Sequence, residues 1–141
     1  MPNSTSTKGF GKRFAILSID LMNTLINGIQ EAPRAAEFIG STQAWLDAVH
    51  ELDPQPLSIF TSLAFVKPSY PELPQGTAFA NLVRGSSNFT DGGAEVQIDS
   101  RFDVTARDIL LHKTRWYAGA GNSLEQILSA QQIDTVILVS W

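Results

Sequence analysis

The run Phe14, Ala15, Ile16, Leu17, Ser18, Ile19, Asp20 constrains the fold more than any other stretch, because it is apolar, strand-sized and ends on a carboxylate. An apolar run without polar alternation suits a central strand of a parallel sheet, covered on both faces. In open α/β sheets ligands bind beyond the carboxyl ends of the strands, so Asp20 stands where a charge has a functional address. The other use for a lone strand-end Asp is to cap the turn through Leu21, Met22 and Asn23.

The rest of the chain has enough apolar material to surround such a strand. Of the 141 residues 43% are hydrophobic and 17% charged, which fits one compact domain rather than a disordered chain. A net charge of -4 and the scattered placement of the ten Lys and Arg residues argue against a nucleic-acid partner. The chain has no cysteine, which excludes disulfides, thiolate metal sites and a thiol nucleophile within these residues. Residues 1–12 are polar, lack an apolar signal core and read as a flexible tail, with the domain proper over 13–141. No segment reaches the roughly 18 apolar residues needed to span a membrane. A cytoplasmic protein with no membrane partner is expected.

Residues 23–30 read as a loop, with Asn27 and Gly28 as its turn signal, and Pro33 fits the first position of a helix. Ala35, Phe38, Thr42, Trp45, Leu46, Val49 and Leu52 recur at helical spacing and predict one long helix against the sheet. Asp53, Pro54, Gln55 and Pro56 end it, and Leu57, Ile59, Phe60 and Leu63 predict a second strand over 57–65. Strand, helix, strand implies a right-handed parallel crossover. Three prolines within residues 67–76 make that stretch a surface loop at the second strand's carboxyl end, where sites are often built. A short helix over 77–84, a turn at Asp91, Gly92 and Gly93 and an extended piece over 96–102 follow. Ile109, Leu110 and Leu111 predict a strand over 108–112 that ends on Lys113, a second charge at a strand end. Asn122 with Glu125 three residues later has the spacing of a capping box. The final run, 135–140, reads as a fully buried strand. The fold class is therefore α/β, a three-layer, doubly wound, mainly parallel sheet. With four strands where such sheets usually have five or six, it is expected to be incomplete at its carboxyl end.

Two families share features with these segments. The stretch Asp20, Leu21, Met22, Asn23, Thr24, Leu25 is similar to the opening motif of haloacid dehalogenase-type phosphatases, a strand ending in Asp-x-Asp-x-Thr. Met22 takes the place of the second Asp, and a thioether neither moves a proton nor holds Mg²⁺ well. The stretch from Phe14 to Asn23 and the segment Asp108, Ile109, Leu110, Leu111, His112, Lys113, Thr114, Arg115, Trp116, Tyr117, Ala118, Gly119 resemble the isochorismatase-like hydrolases. That superfamily also holds nicotinamidases and N-carbamoyl amidohydrolases. The helix start at Asn122 and the last strand follow at the family's spacing.

This resemblance implies a hydrolase of a small amide, imide or vinyl ether, with Asp20 as general base and Lys113 as the cation that offsets developing negative charge. The family's third group is a cysteine on the helix after the fourth strand, a position beyond Trp141. Residues 13–141 are thus expected to be a hydrolase domain cut before its nucleophile helix, with no turnover as written. Ser140 is the nearest hydroxyl, and no His is placed to activate it. The metal-binding nicotinamidases carry an Asp-x-His-x-x-His-type cluster after the second strand, where this chain reads Phe65, Val66, Lys67, Pro68, Ser69, Tyr70. No metal and no other cofactor is expected. Tyr70, Trp116 and Tyr117 are candidates for a substrate pocket, their alternative role being loop packing. A non-catalytic relative that binds a partner or a second copy through its last strand stays open, as Val136, Leu138 and Trp141 lack a covering helix and favour self-association.

Overall fold

The structure, a computed structural model, describes residues 11–141. Apart from Gly11 and Lys12, the tail expected over residues 1–12 lies outside the described residues. The elements run β1 (Phe14–Ile19), α1 (Asn23–Ile29), α2 (Ala35–Glu51), β2 (Leu57–Leu63), α3 (Ala78–Arg84), a 3₁₀ turn (Ala94–Val96), β3 (Ile109–Lys113), α4 (Leu124–Ala130) and β4 (Thr135–Val139).

The four strands form one sheet in the order β3-β2-β1-β4, all parallel. β1 pairs with β2 from Ala15↔Leu57 to Ile19↔Thr61 and with β4 from Phe14↔Thr135 to Ser18↔Val139. The two inner strands are buried almost throughout, which is why they read as continuous apolar runs. The chain winds outward from β1 to β3 and then returns to lay β4 on the other side of β1. That reversal opens a crevice at the carboxyl ends of β1 and β4, where α/β sheets bind ligands.

Helices cover both faces. Leu21 and Ile26 pack with Ile39 and Leu46 of α2 against Phe60 and Phe102. On the other face Leu124 of α4 and Ala118 pack on Leu17 and Ile59, flanked by Ile109 and Leu111. A third cluster, with Met22, Leu63, Phe65, Tyr70, Ala80, Val83 and Phe89, fills the space above the end of β2.

Several local expectations are corrected. Residues 23–29 form α1 and not a loop. Met22, Leu25, Ile26 and Ile29 lie at i, i+3, i+4 and i+7, so burial of Ile26 outweighs the Asn27–Gly28 turn signal. Pro33 lies in the turn before α2, which starts at Ala35 behind Arg34 in a left-handed conformation (φ 72°). The extended piece expected over 96–102 leaves the 3₁₀ turn with Gln97 in extended backbone and makes one antiparallel bridge, Met22↔Ile98.

The N-cap of α4 is Ser123 and not Asn122, and Glu125 closes no box; Asn122 stands one residue earlier, where its Oδ1 accepts the Leu124 N–H at 2.9 Å. Glu125 instead accepts the Tyr117 hydroxyl at 2.6 Å, which holds that phenol above its usual pKa. β4 is an edge strand with alternating burial and not a fully buried one, leaving Leu138 62% and Val136 37% exposed. An apolar run cannot by itself distinguish a central from an edge position, since that depends on which strands find it as a neighbour.

Candidate functional site

Asp20 follows β1 directly and Lys113 is the last residue of β3, with β2 between them. Strands two places apart lie about 10 Å from each other, so only a long side chain can close the gap. Lys113 does so: its Nζ lies 2.7 Å from Asp20 Oδ2. The pair is withdrawn from water, with the Lys113 side chain 3% and the Asp20 side chain 14% exposed. Lys113 Nζ also donates to the Trp116 carbonyl at 3.0 Å.

Thr61, on the intervening strand, sets the other half of the carboxylate. Its hydroxyl donates to Asp20 Oδ1 at 2.9 Å, and its carbonyl accepts the Asp20 N–H at 3.1 Å. Asp20 takes a positive φ of 55°, a conformation that costs most residues but that Asp and Asn tolerate. The turn thus aims the carboxylate instead of continuing the strand.

The pair opens on a cavity of about 300 Å³ lined by Ile19, Leu21, Leu25, Ile26, Ile29, Trp116, Ser140 and Trp141. This is the lower end of the size range of small-molecule pockets. One wall is α1, so the helix that local turn signals concealed supplies the apolar surface of the site. The Trp141 ring packs edge-on against Phe38 at 5.2 Å, and the 69% exposed Trp116 packs on Phe79 at 5.0 Å.

The structure brings together three of the five residues expected from the sequence: Asp20, Lys113 and Trp116. Tyr70 does not reach the cavity. It is buried under the 67–76 loop, 4.9 Å from the Phe65 ring and below the Arg84 guanidinium, and its hydroxyl accepts the Phe89 N–H at 2.9 Å. Tyr117 turns away to Glu125 and is not among the lining residues. Tyr70 is bonded to the loop residue Phe89 and Tyr117 to Glu125 of α4, whereas Trp116 lines the cavity. Thr61 and the α1 wall escaped sequence reading, Thr61 because a hydroxyl in an apolar strand carries no pattern, α1 despite its helical spacing.

Other candidate groups lie apart. His50 pairs with the buried Asp108 at 2.8 Å, and His112 lies 3.5 Å from Asp91, so neither serves Ser140. Met22 is fully buried, its sulfur facing the Leu63 N–H at 3.3 Å. It is a core residue, which removes the phosphatase reading. A second cavity, of about 770 Å³, opens at the opposite, amino end of the strands and is lined by neither Asp20 nor Lys113.

A parallel α/β sheet flanked by helices, with a charged pair at strand carboxyl ends beside a small cavity, defines a doubly wound domain of the three-layer kind. The profile of the isochorismatase domain matches residues 14–139, and the chain belongs to that family of hydrolases. Solved structures agree on the fold. N-carbamoylsarcosine amidase from Thermoplasma acidophilum superposes with a TM-score of 0.69 at 21% identity, over 89% of this chain and 66% of that one. An isochorismatase-like hydrolase from Alkaliphilus metalliredigens gives 0.70 at 19%, over 89% and 65%. Pyrazinamidase of Pyrococcus horikoshii, solved with zinc, gives 0.64 at 13%, over 89% and 69%. The chain thus spans about two thirds of the length of these structures. No curated protein matches the sequence.

The zinc in one of these structures raises the question of a metal here. At the end of β2, Phe65 and Tyr70 are packed in an apolar cluster. Among the described residues no three His, Cys, Asp or Glu side chains converge to hold an ion. The donor set of the described residues does not fit a metal.

No described helix is long and apolar enough to cross a membrane.

Proposed function

We propose that residues 13–141 supply the base and the cation of a hydrolase site for a small amide, imide or vinyl ether. The observation that carries this reading is the buried 2.7 Å contact between Lys113 and Asp20 at the mouth of the cavity. An ammonium has three protons, and Lys113 spends one on Asp20 and one on the Trp116 carbonyl. The third is available to a substrate oxygen on which negative charge develops, an interaction that gains strength in a water-poor site. Asp20 has lone pairs beyond those taken by Thr61 and Lys113. It can accept the proton of an attacking group, the general-base role.

The attacking group of the family is a thiol, and the 141 residues contain no cysteine. The chain alone should therefore bind such substrates without turning them over. Incubation of the purified 141-residue protein with simple carboxamides and isochorismate-like vinyl ethers checks this. No product is expected, and turnover abolished by Asp20→Asn would overturn the account.

A non-catalytic binding role is the second reading, favoured by one observation. The edge strand β4 presents Leu138 and Val136 to solvent, a surface able to pair with a partner or a second copy.

A further inference from the structure

We infer that the cavity of about 770 Å³ at the amino ends of the strands is a binding site for an organic phosphate the size of a nucleoside monophosphate. Among its lining residues three cations, Lys12, Arg13 and Arg107, stand against one carboxylate, Asp53. The topology brings them together. Arg13 directly precedes β1 and Arg107 stands two residues before β3, so they flank the start of β2 at Leu57. At the other end of these strands Lys113 reaches across β2 to a carboxylate. Here both sides of β2 carry a guanidinium, and like charges facing one cavity are best held by an anion between them.

The protein itself does not supply that anion. Among the described residues the ion pairs of lysine and arginine join Arg34 to Glu37, Arg101 to Asp99 and Lys113 to Asp20, and none includes Lys12, Arg13 or Arg107. Residues 1–10 contain Lys8 and no Asp or Glu, so they bring no side-chain carboxylate to the cavity. Two further acids adjoin the cations but are engaged elsewhere. Asp134 accepts the Arg13 N–H and the Thr135 hydroxyl, while the buried Asp108 carboxylate is bonded to His50, Gln55 and the Thr105 N–H. Leu52 and Gln131, the C-caps of α2 and α4, also line the cavity. The partial negative charge at a helix C-terminus, about half a unit, offsets only part of three full positive charges. A guanidinium fork matches two phosphate oxygens, and a phosphate dianion draws on all three cations. The volume lies in the range of small-molecule pockets and exceeds the needs of a bare phosphate. Pro54, Pro56, Leu57 and Ile133 give apolar surface for the uncharged body of the ligand.

Calorimetric titration of the purified 141-residue protein with adenosine monophosphate, adenosine and inorganic phosphate, at low salt where screening is weak, tests this. The monophosphate should bind at least about tenfold more tightly than either fragment. Arg13→Gln/Arg107→Gln should weaken it at least about tenfold, while Lys67→Gln, at the carboxyl side of β2 and outside the cavity, should leave it unchanged. Asp53→Asn removes the carboxylate of the lining and should strengthen binding about twofold or more, a gain that misfolding cannot imitate. Adenosine binding as tightly as its monophosphate overturns the phosphate site. Inorganic phosphate binding as tightly overturns the organic ligand and leaves an anion site only. An affinity that neither the double arginine variant nor Asp53→Asn moves overturns the placement in this cavity, and binding of none of the three probes overturns the proposal as a whole.

Discussion

At the scale of single residues, the Asp20–Lys113 pair is costly to disturb. Two opposite charges at 2.7 Å, both largely out of water, are balanced only while both are present. Removal of one partner from such a pair typically costs about 3–5 kcal/mol, since the other is left buried and uncompensated. Lys113→Met should therefore lower the unfolding free energy by about that amount in urea titration. The double variant Asp20→Asn/Lys113→Met should lose less than Lys113→Met alone. Asn suits the comparison because it tolerates the left-handed backbone that Asp20 adopts. Equal losses in the single and double variants would mean that the pair is not coupled. Thr61 belongs to the same unit, for it fixes which carboxylate oxygen is left to Lys113.

At the scale of elements, α1 is the piece on which the cavity depends. Its apolar side chains Leu25, Ile26 and Ile29 form a wall of the site, while Ile26 also reaches into the core with Leu46 and Phe60. Gly28 is the weak point of the helix, because glycine in a helix interior costs roughly 0.5–1 kcal/mol relative to alanine. An added Cβ there meets nothing within 4 Å. Gly28→Ala should accordingly stabilise the protein by about 0.5–1 kcal/mol, seen as a raised thermal midpoint. Were residues 23–29 a turn needing an unusual backbone at Gly28, the same change would destabilise. The strands show a parallel contrast. β1 and β2 have partners on both sides and lie buried, whereas β3 and β4 occupy the edges and alternate.

At the scale of the whole molecule, the sheet is asymmetric. α4 covers Leu17, Ile59 and their neighbours, but Leu138, which pairs with Leu17 across the ladder, is 62% exposed. An edge strand with unpaired backbone groups and exposed apolar side chains favours association with another chain. The protein should self-associate as concentration rises, and Leu138→Lys, which puts a charge on that edge, should shift light scattering towards the monomer. A parent protein that stays monomeric over the same range would remove the edge as an interaction surface.

Much of this was legible in the sequence because it is written in local patterns. The apolar run ending at Asp20, the helical spacing over α2 and the run ending at Lys113 disclosed an α/β sheet with two charges at strand ends. Burial of both faces of a strand demands such runs whatever the partners are. Only the tertiary structure decided that Lys113 reaches across β2 to Asp20, that Thr61 orients the carboxylate, that Tyr70 is packed away, and that β4 is an edge. Each of these depends on which strands become neighbours, and strand order is settled by packing between segments distant in sequence, which no local pattern records.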